Sequence, residues 1–222
     1  MKTVWRQKFY DEVETIRLSD PLSHLLGAQD DTEPFVFRFT DAVLMAGHSC
    51  PAVSGAYKIT LKGLKALYGG ETPVRGAIRV LIKGGPRDLA YGPQAQVISL
   101  ITGASGATGF KGLGGKYSRN DKLLFDTKDV QFNTFIFERE DTGKVVKVTF
   151  NPQALPQDPR MNELSPRVIG GMATKEEKEL FIELWQGNVK KILLEDDKYP
   201  GLFTVDEITG FRFPSPGDEG IV

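Results

Sequence analysis

An α+β fold is predicted by three features of this 222-residue chain. Val53, Ala56, Ile59 and Leu64 recur at helical spacing behind Pro51. Ile78, Val80 and Ile82 alternate with Ala77, Arg79 and Leu81, as in a strand. Asp141-Thr142-Gly143 has turn chemistry and separates two extended segments, which makes a hairpin. Together these describe a chain that mixes helices and strands. The length exceeds the commonest domain size without requiring two cores. Residues 1–222 therefore read as one domain, with its core over about 35–150 and a helical extension and tail over about 151–222.

In chain order, residues 11–26 carry Val13, Ile16, Leu18, Leu22 and Leu25 in a loosely amphipathic pattern interrupted by Pro21, which predicts one or two short helices. Residues 29–34 are polar and read as a surface loop, and aromatic and branched residues make 35–39 a strand. Thr40 and Asp41 resemble an N-cap and first-turn acid for a short helix over 42–46 that Gly47 ends. A second helix runs over about 51–68, with Pro51 at its favoured first position and Gly69-Gly70 at its end. Residues 76–83 form a strand, whereas 94–101 fit a short helix or a buried strand equally.

Six glycines fall within 102–116, which demands either repeated positive φ or close approach of the backbone to something else. Residues 122–126, 130–139 and 144–150 are extended. Pro152, Pro156 and Pro159 mark a connector, and Thr174-Lys175-Glu176-Glu177 is a capping-box signature that opens a helix reaching about Leu194. The tail beyond Tyr199, with Phe203, Phe211 and Phe213, is expected to drape over the core or over a partner subunit.

Charge narrows the function. With 28 basic and 29 acidic residues the formal net charge is −1, so nothing argues for nucleic acid or an anionic membrane as partner. Met1 to Arg6 turn charged before any apolar stretch of signal-peptide length, and no later segment is apolar enough to span a bilayer, which predicts a cytoplasmic protein. One cysteine forms no internal disulfide and no cysteine-only metal cluster within the chain.

That cysteine lies in Gly47-His48-Ser49-Cys50-Pro51, beside one of only two histidines and at the mouth of the predicted helix. The dipole and unpaired N–H groups of a helix start favour a thiolate, the form that attacks electrophiles and ligates metals. His48 and Cys50 are accordingly candidate ligands of a metal ion or haem, a candidate base and nucleophile, or buried residues without chemical use. Two ligands do not complete a zinc shell. Further donors would come from His24, Asp41, Asp121, water or a second copy of the chain. Cys50-Pro51 also matches the dipeptide in which a thiolate binds haem iron.

The glycine-rich loop fails the phosphate-loop spacing, because Phe110 stands where the first glycine belongs and Tyr117 replaces the Ser or Thr. Gly103, Ser105 and Gly106 remain candidates for holding an anion through backbone N–H groups, the alternative being a tight loop packed on a neighbouring backbone. Lys116, Arg119, Asn120, Asp121 and Lys122 follow closely. They either orient a carboxylate or form a solvated surface, with Asn120 and Lys122 as candidate cofactor-binding and catalytic groups.

Ala46-Gly47-His48-Ser49-Cys50-Pro51-Ala52 resembles the His-Gly-His-x-Cys-Pro-Gly signature of the FmdE family of formylmethanofuran dehydrogenase subunits. Residues 101–106 resemble its Thr-Gly-Cys-Thr segment, and 121–125 its later Gly-Lys-aliphatic stretch. The resemblance spans about 35–149. It implies a thioredoxin-like α+β core, a mixed β-sheet flanked by helices, an intertwined homodimer with sites near the subunit interface, and a metal (zinc or iron) bound by histidine and cysteine. Ala46 and Ala104 stand where the pattern has a histidine and a second cysteine, which removes two ligands.

The expected function is thus a metal- or haem-binding protein of this kind, acting on a small molecule with the cofactor held by His48 and Cys50. The alternatives are a metal-free enzyme with Cys50 as nucleophile and His48 as base, or an accessory subunit of a redox complex.

Overall fold

The computed structural model describes residues 3–30, 33–88 and 90–222. Met1 and Lys2 of the charged start, and Asp31 and Thr32 of the polar loop, lie outside them. The fold is α+β. Its main sheet has five strands in the order β4-β3-β5-β6-β7: β3 (Ile78–Ile82), β4 (Leu123–Phe125), β5 (Thr134–Arg139), β6 (Val145–Phe150) and β7 (Phe203–Ile208). β3 and β4 are parallel, joined through helix α4 (Tyr91–Thr102), and every other pair is antiparallel. The parallel pair needs such a crossover, which settles 94–101 as helix; Gly103 closes it at φ 76° with its N–H on the Ser99 carbonyl.

The two sheet faces are covered differently. Ile78, Val80, Ile82, Phe135, Phe137, Val146, Val148 and Phe150 point to one side, under α3 (Pro51–Tyr68) and α4. Leu81, Leu124, Ile136 and Val145 point to the other, where Phe213 of the C-terminal tail is buried against them. The tail is fastened by paired backbone bonds between Phe125 and Val222, and by Arg79 lying 4.4 Å over the Phe213 ring. It drapes over this chain's own sheet, and β7 forms the sheet's edge with Thr204, Asp206 and Glu207 exposed.

The N-terminal region departs from the helical expectation. Ile16–Leu18 (β1) pairs antiparallel with Phe35–Phe37 (β2), and helix α1 (Pro21–Leu25) begins at the proline that was expected to interrupt a helix. Pro21 is its first residue, and the Asp20 carboxylate accepts from the N–H groups of Leu22 and Ser23. Helix α2 (Phe39–Ala46) starts earlier than predicted because the Asp41 carboxylate caps the Arg38 N–H at 2.7 Å, drawing Phe39 out of the strand. Buried Asp20 also binds Arg75 at 3.1 Å and Arg119 at 2.7 Å, tying α1 to the end of α4 and the glycine-rich loop. Beyond the connector marked by Pro152, Pro156 and Pro159, the extension holds a helix for which no separate prediction was made, α5 (Met161–Ile169). Helix α6 (Lys175–Leu194) opens with the predicted capping box of Thr174 and Glu177. No helix among the described residues is long and apolar enough to cross a membrane.

Helix α3 lies closely over β5 and β6 because it turns glycine toward them. A Cβ on Gly55 would sit 2.6 Å from the Phe150 ring, and one on Gly63 would sit 3.0 Å from Phe137. Phe150 cannot yield easily, since it is stacked on Phe203 at 4.9 Å between ring centroids. Gly55→Ala would gain about 1 kcal/mol of helix propensity but incur an overpacking cost of about 1–3 kcal/mol. We expect urea unfolding to show a net loss of stability; a gain near the full propensity value would show that the ring moves freely.

Candidate functional site

The segment singled out by sequence forms the corner between α2 and α3. Gly47 turns it in the left-handed region (φ 73°), with its N–H on the Val43 carbonyl at 2.8 Å. Cys50 is the N-cap of α3 in extended conformation, and its side chain makes no capping hydrogen bond. Its carbonyl accepts from both the N–H and the hydroxyl of Ser54, at 3.0 and 2.9 Å, so the backbone is fixed while the thiol is uncommitted. Cys50 is half-buried and packs against the main core. A thiol is a poor substitute for the Ser, Asp or Asn that usually occupies an N-cap, so α3 begins with its first N–H groups uncapped by a side chain.

His48 is exposed, with Nδ1 at 2.9 Å from the Ala46 carbonyl. A carbonyl only accepts, so Nδ1 carries the proton and Nε2 of the neutral ring presents a lone pair. This backbone tether is the kind that orients metal-ligating histidines.

The corner is clamped from behind by α6. Trp185 donates through Nε1 to the Ser49 carbonyl at 2.9 Å, and Gln186 accepts from the Tyr10 hydroxyl at 3.1 Å. At its other end α6 is tied to α3: Lys58 donates to the Leu193 carbonyl at 3.1 Å, and Asp196 pairs with Lys58 and Lys62, each at 2.7 Å. Burial alone would raise the Asp196 carboxyl; the hydrogen bonds and charges of the two ammonium groups more than reverse this and hold it below its ordinary value.

Beside the start of α3 opens a cavity of about 340 Å³, walled by Pro51, Ala52, Phe132 and Phe150, with the buried residues Gln94 and Asn133 also in its lining. Such a mostly apolar space with a few polar groups is typical of small-molecule sites. Its volume suits a small ligand better than a haem macrocycle.

The other predicted site residues lie elsewhere. Ser105 and Gly106 line a separate groove of about 720 Å³ with Met45, Ser99 and Leu123. The backbone anion cradle expected at 103–106 is largely closed: the N–H groups of Gly103, Ala104 and Ser105 are bound to Ser99, Thr102 and Arg119 respectively. The loop is instead the tightly packed alternative, since a Cβ on Gly109 would meet the Asn120 backbone at 2.9 Å and one on Gly112 the Lys116 carbonyl at 2.2 Å. Asn120 is engaged by Ser118 and Asp121. Lys122 is bound to the Gly76 carbonyl and Glu140, both at 2.6 Å, and lines a third cavity with Arg75 and Arg119.

Among the described residues no three His, Cys, Asp or Glu side chains are grouped to hold an ion. Asp41 is taken up in capping α2, and Asp121 accepts from Asn120. What the sequence reading missed is Gln94 and Asn133. Nothing in the sequence marked them: Gln94 opens the run 94–101, which fits helix and strand equally and holds a second glutamine, Gln96, and Asn133 falls inside an extended segment.

No family model matches the chain, and no curated protein matches it.

Two outcomes follow from the clamp. Because the Asp196 carboxyl is depressed in the folded state, its contribution to stability is present above the ordinary value of 3.8 and is lost as pH falls through the lower folded value. Asp196→Asn should therefore lower stability at neutral pH and flatten the decline below about pH 4, as read by urea unfolding across pH; an unchanged acid slope would mean that the pair contributes nothing. Trp185→Phe removes the bond to Ser49 and should speed alkylation of Cys50 by iodoacetamide several-fold without changing the circular dichroism. An unchanged rate would show that Trp185 does not hold the corner.

Proposed function

We propose that this chain binds a small molecule at the start of α3 and that Cys50 is the group that holds it or acts on it. The observation that carries this reading is a cavity walled by Pro51 and Ala52, the first residues of an 18-residue helix uncapped by a side chain, with the uncommitted thiol of Cys50, its N-cap, next in the chain though not itself in the cavity wall. A helix start of this kind supplies directed N–H groups and positive potential to whatever enters. The test is a fragment screen by amide NMR on the full chain. Bound fragments should move the resonances of Ala52, Gln94 and Asn133 first. Fragments that collect instead at Ser105 and Gly106 would transfer the site to the larger groove.

A second reading, in which His48 and Cys50 hold a transition metal such as zinc or iron, is favoured by the orientation of His48, whose Nε2 is left free by the Ala46 bond. One chain offers two such donors, so the ion would be shared with a second copy in a homodimer, in keeping with the resemblance to the FmdE family and its thioredoxin-like core. Elemental analysis and sedimentation on freshly purified protein should then find about one metal per two chains, lost together with the dimer in both Cys50→Ser and His48→Ala. Metal retained in both variants would remove these residues from the ligand set.

A further inference from the structure

The geometry points to a second site, independent of the cavity beside α3, that takes a small carboxylate with a short aliphatic body. It is the cavity of about 230 Å³ bounded by the segment before β3, the end of the glycine-rich loop and the residue that follows β5. Three cationic side chains line it, Arg75, Arg119 and Lys122, against one carboxylate, Glu140. Asp20, buried and outside the lining, accepts from both Arg75 and Arg119, at 3.1 and 2.7 Å. Glu140 is taken by Lys122 at 2.6 Å. Among the described residues no other carboxylate pairs with these three cations, so the cluster holds one positive charge in surplus.

Water compensates this surplus poorly. Arg119 is 6% exposed, and its Nη1 is packed on backbone, where a Cβ on Gly76 or Gly103 would come within 2.4 or 2.3 Å of it. That end of the fork is out of a ligand's reach and contributes charge alone. Arg75 and Lys122 are the groups that can touch a ligand, with side chains 24% and 15% exposed. Of the five N–H groups of Arg75, three are bound, to Asp20 and to the uncharged carbonyls of Leu100 and Ile101. Lys122 spends two of its three on Gly76 and Glu140. Burial lowers the Arg75 guanidinium below its ordinary value, the bond to Asp20 recovers only part of this, and the charge of Arg119 lowers it further. Such a group gains from an anion, since charge withdrawn from water is costly until it is paired. One surplus charge selects a monoanion, and the two oxygens of a carboxylate suit the planar fork. Pro21, Val74 and Ala77 supply the apolar wall. Tyr117 stands in the same lining at φ 61°, a left-handed conformation that is costly for a bulky residue and recurs at ligand sites.

The experiment titrates the full chain at neutral pH and low ionic strength with butyrate, butyramide and inorganic phosphate, following the amide NMR resonances of Gly76, Ala77, Tyr117 and Lys122. Butyrate should bind at least about tenfold tighter than butyramide, which tests the charge; tenfold corresponds to about 1.4 kcal/mol. It should also bind tighter than phosphate, which carries more charge than the site lacks and has no apolar body. Two variants move the balance in opposite directions. Lys122→Met removes the surplus and should weaken butyrate several-fold. Glu140→Gln enlarges the surplus and should tighten butyrate several-fold, a gain that a merely structural role for the Lys122 and Glu140 pair would not produce and that stands even where Lys122→Met fails to fold. Butyramide binding as tightly as butyrate, or phosphate binding as tightly, would overturn the carboxylate assignment. If no titrant moves these resonances, or if Glu140→Gln weakens butyrate, the site itself is refuted, and the reading of the cavity beside α3 is untouched.

Discussion

The structure depends on how closely helix α3 can approach the sheet. Gly55 and Gly63 lie against the rings of Phe150 and Phe137, at distances that no side chain could occupy without movement of the rings. This contact sets the height of the helix over β5 and β6. It also brings the rest of its inner face, including Val53, Ala56, Ile59 and Leu64, into the main core with α4 and the N-terminal ribbon. Tyr57 completes the fastening with its single hydroxyl proton, which is shared between the carbonyls of Glu14 and Phe37 at 2.8 and 2.9 Å. A helix held this firmly along its length serves as a rigid base for chemistry at its end.

Phe150 links packing to function. The same ring that fills the notch beneath Gly55 forms a wall of the cavity at the start of α3. Part of the cavity wall is therefore set by core packing, and Ala90, Phe132, Asn133 and Pro152 from the flanking segments complete it. Around it the structure divides its polar groups sharply. The Asp20, Arg75 and Arg119 network and the Lys58, Lys62 and Asp196 pairs are used to fasten elements together, whereas Gln94 and the Cys50 thiol are left uncommitted at the corner.

Much of the α+β architecture was legible in periodicity and punctuation. Pro51 and Gly69 bracket α3, the alternation in Ile78–Ile82 separates the two faces of the sheet, and the capping box at Thr174 starts α6 where predicted. What failed to show was set by distant partners. Ile16–Leu18 has a helix-compatible pattern but becomes a strand because Phe35–Phe37 pairs with it. The tail from Phe203 carries no strand signal strong enough to reveal that it edges β6. Of the site, the corner at His48 and Cys50 was visible because rare residue types cluster there. The cavity was not, because it joins residues from α3, α4, β6 and the segment just before β5 that only tertiary packing brings together. The glycine-rich loop misled in the other direction, its glycines serving close backbone packing while its N–H groups are spent internally.

The central claim is that α3 is rigid along its length yet begins open, with N–H groups free for a ligand. Native-state hydrogen exchange measured residue by residue tests it most directly. The account predicts that the Ala52 amide, at the cavity wall, exchanges orders of magnitude faster than that of Ala56, one turn further into the same helix. Equal strong protection at both positions would mean that the start of α3 is already capped, and would contradict the account.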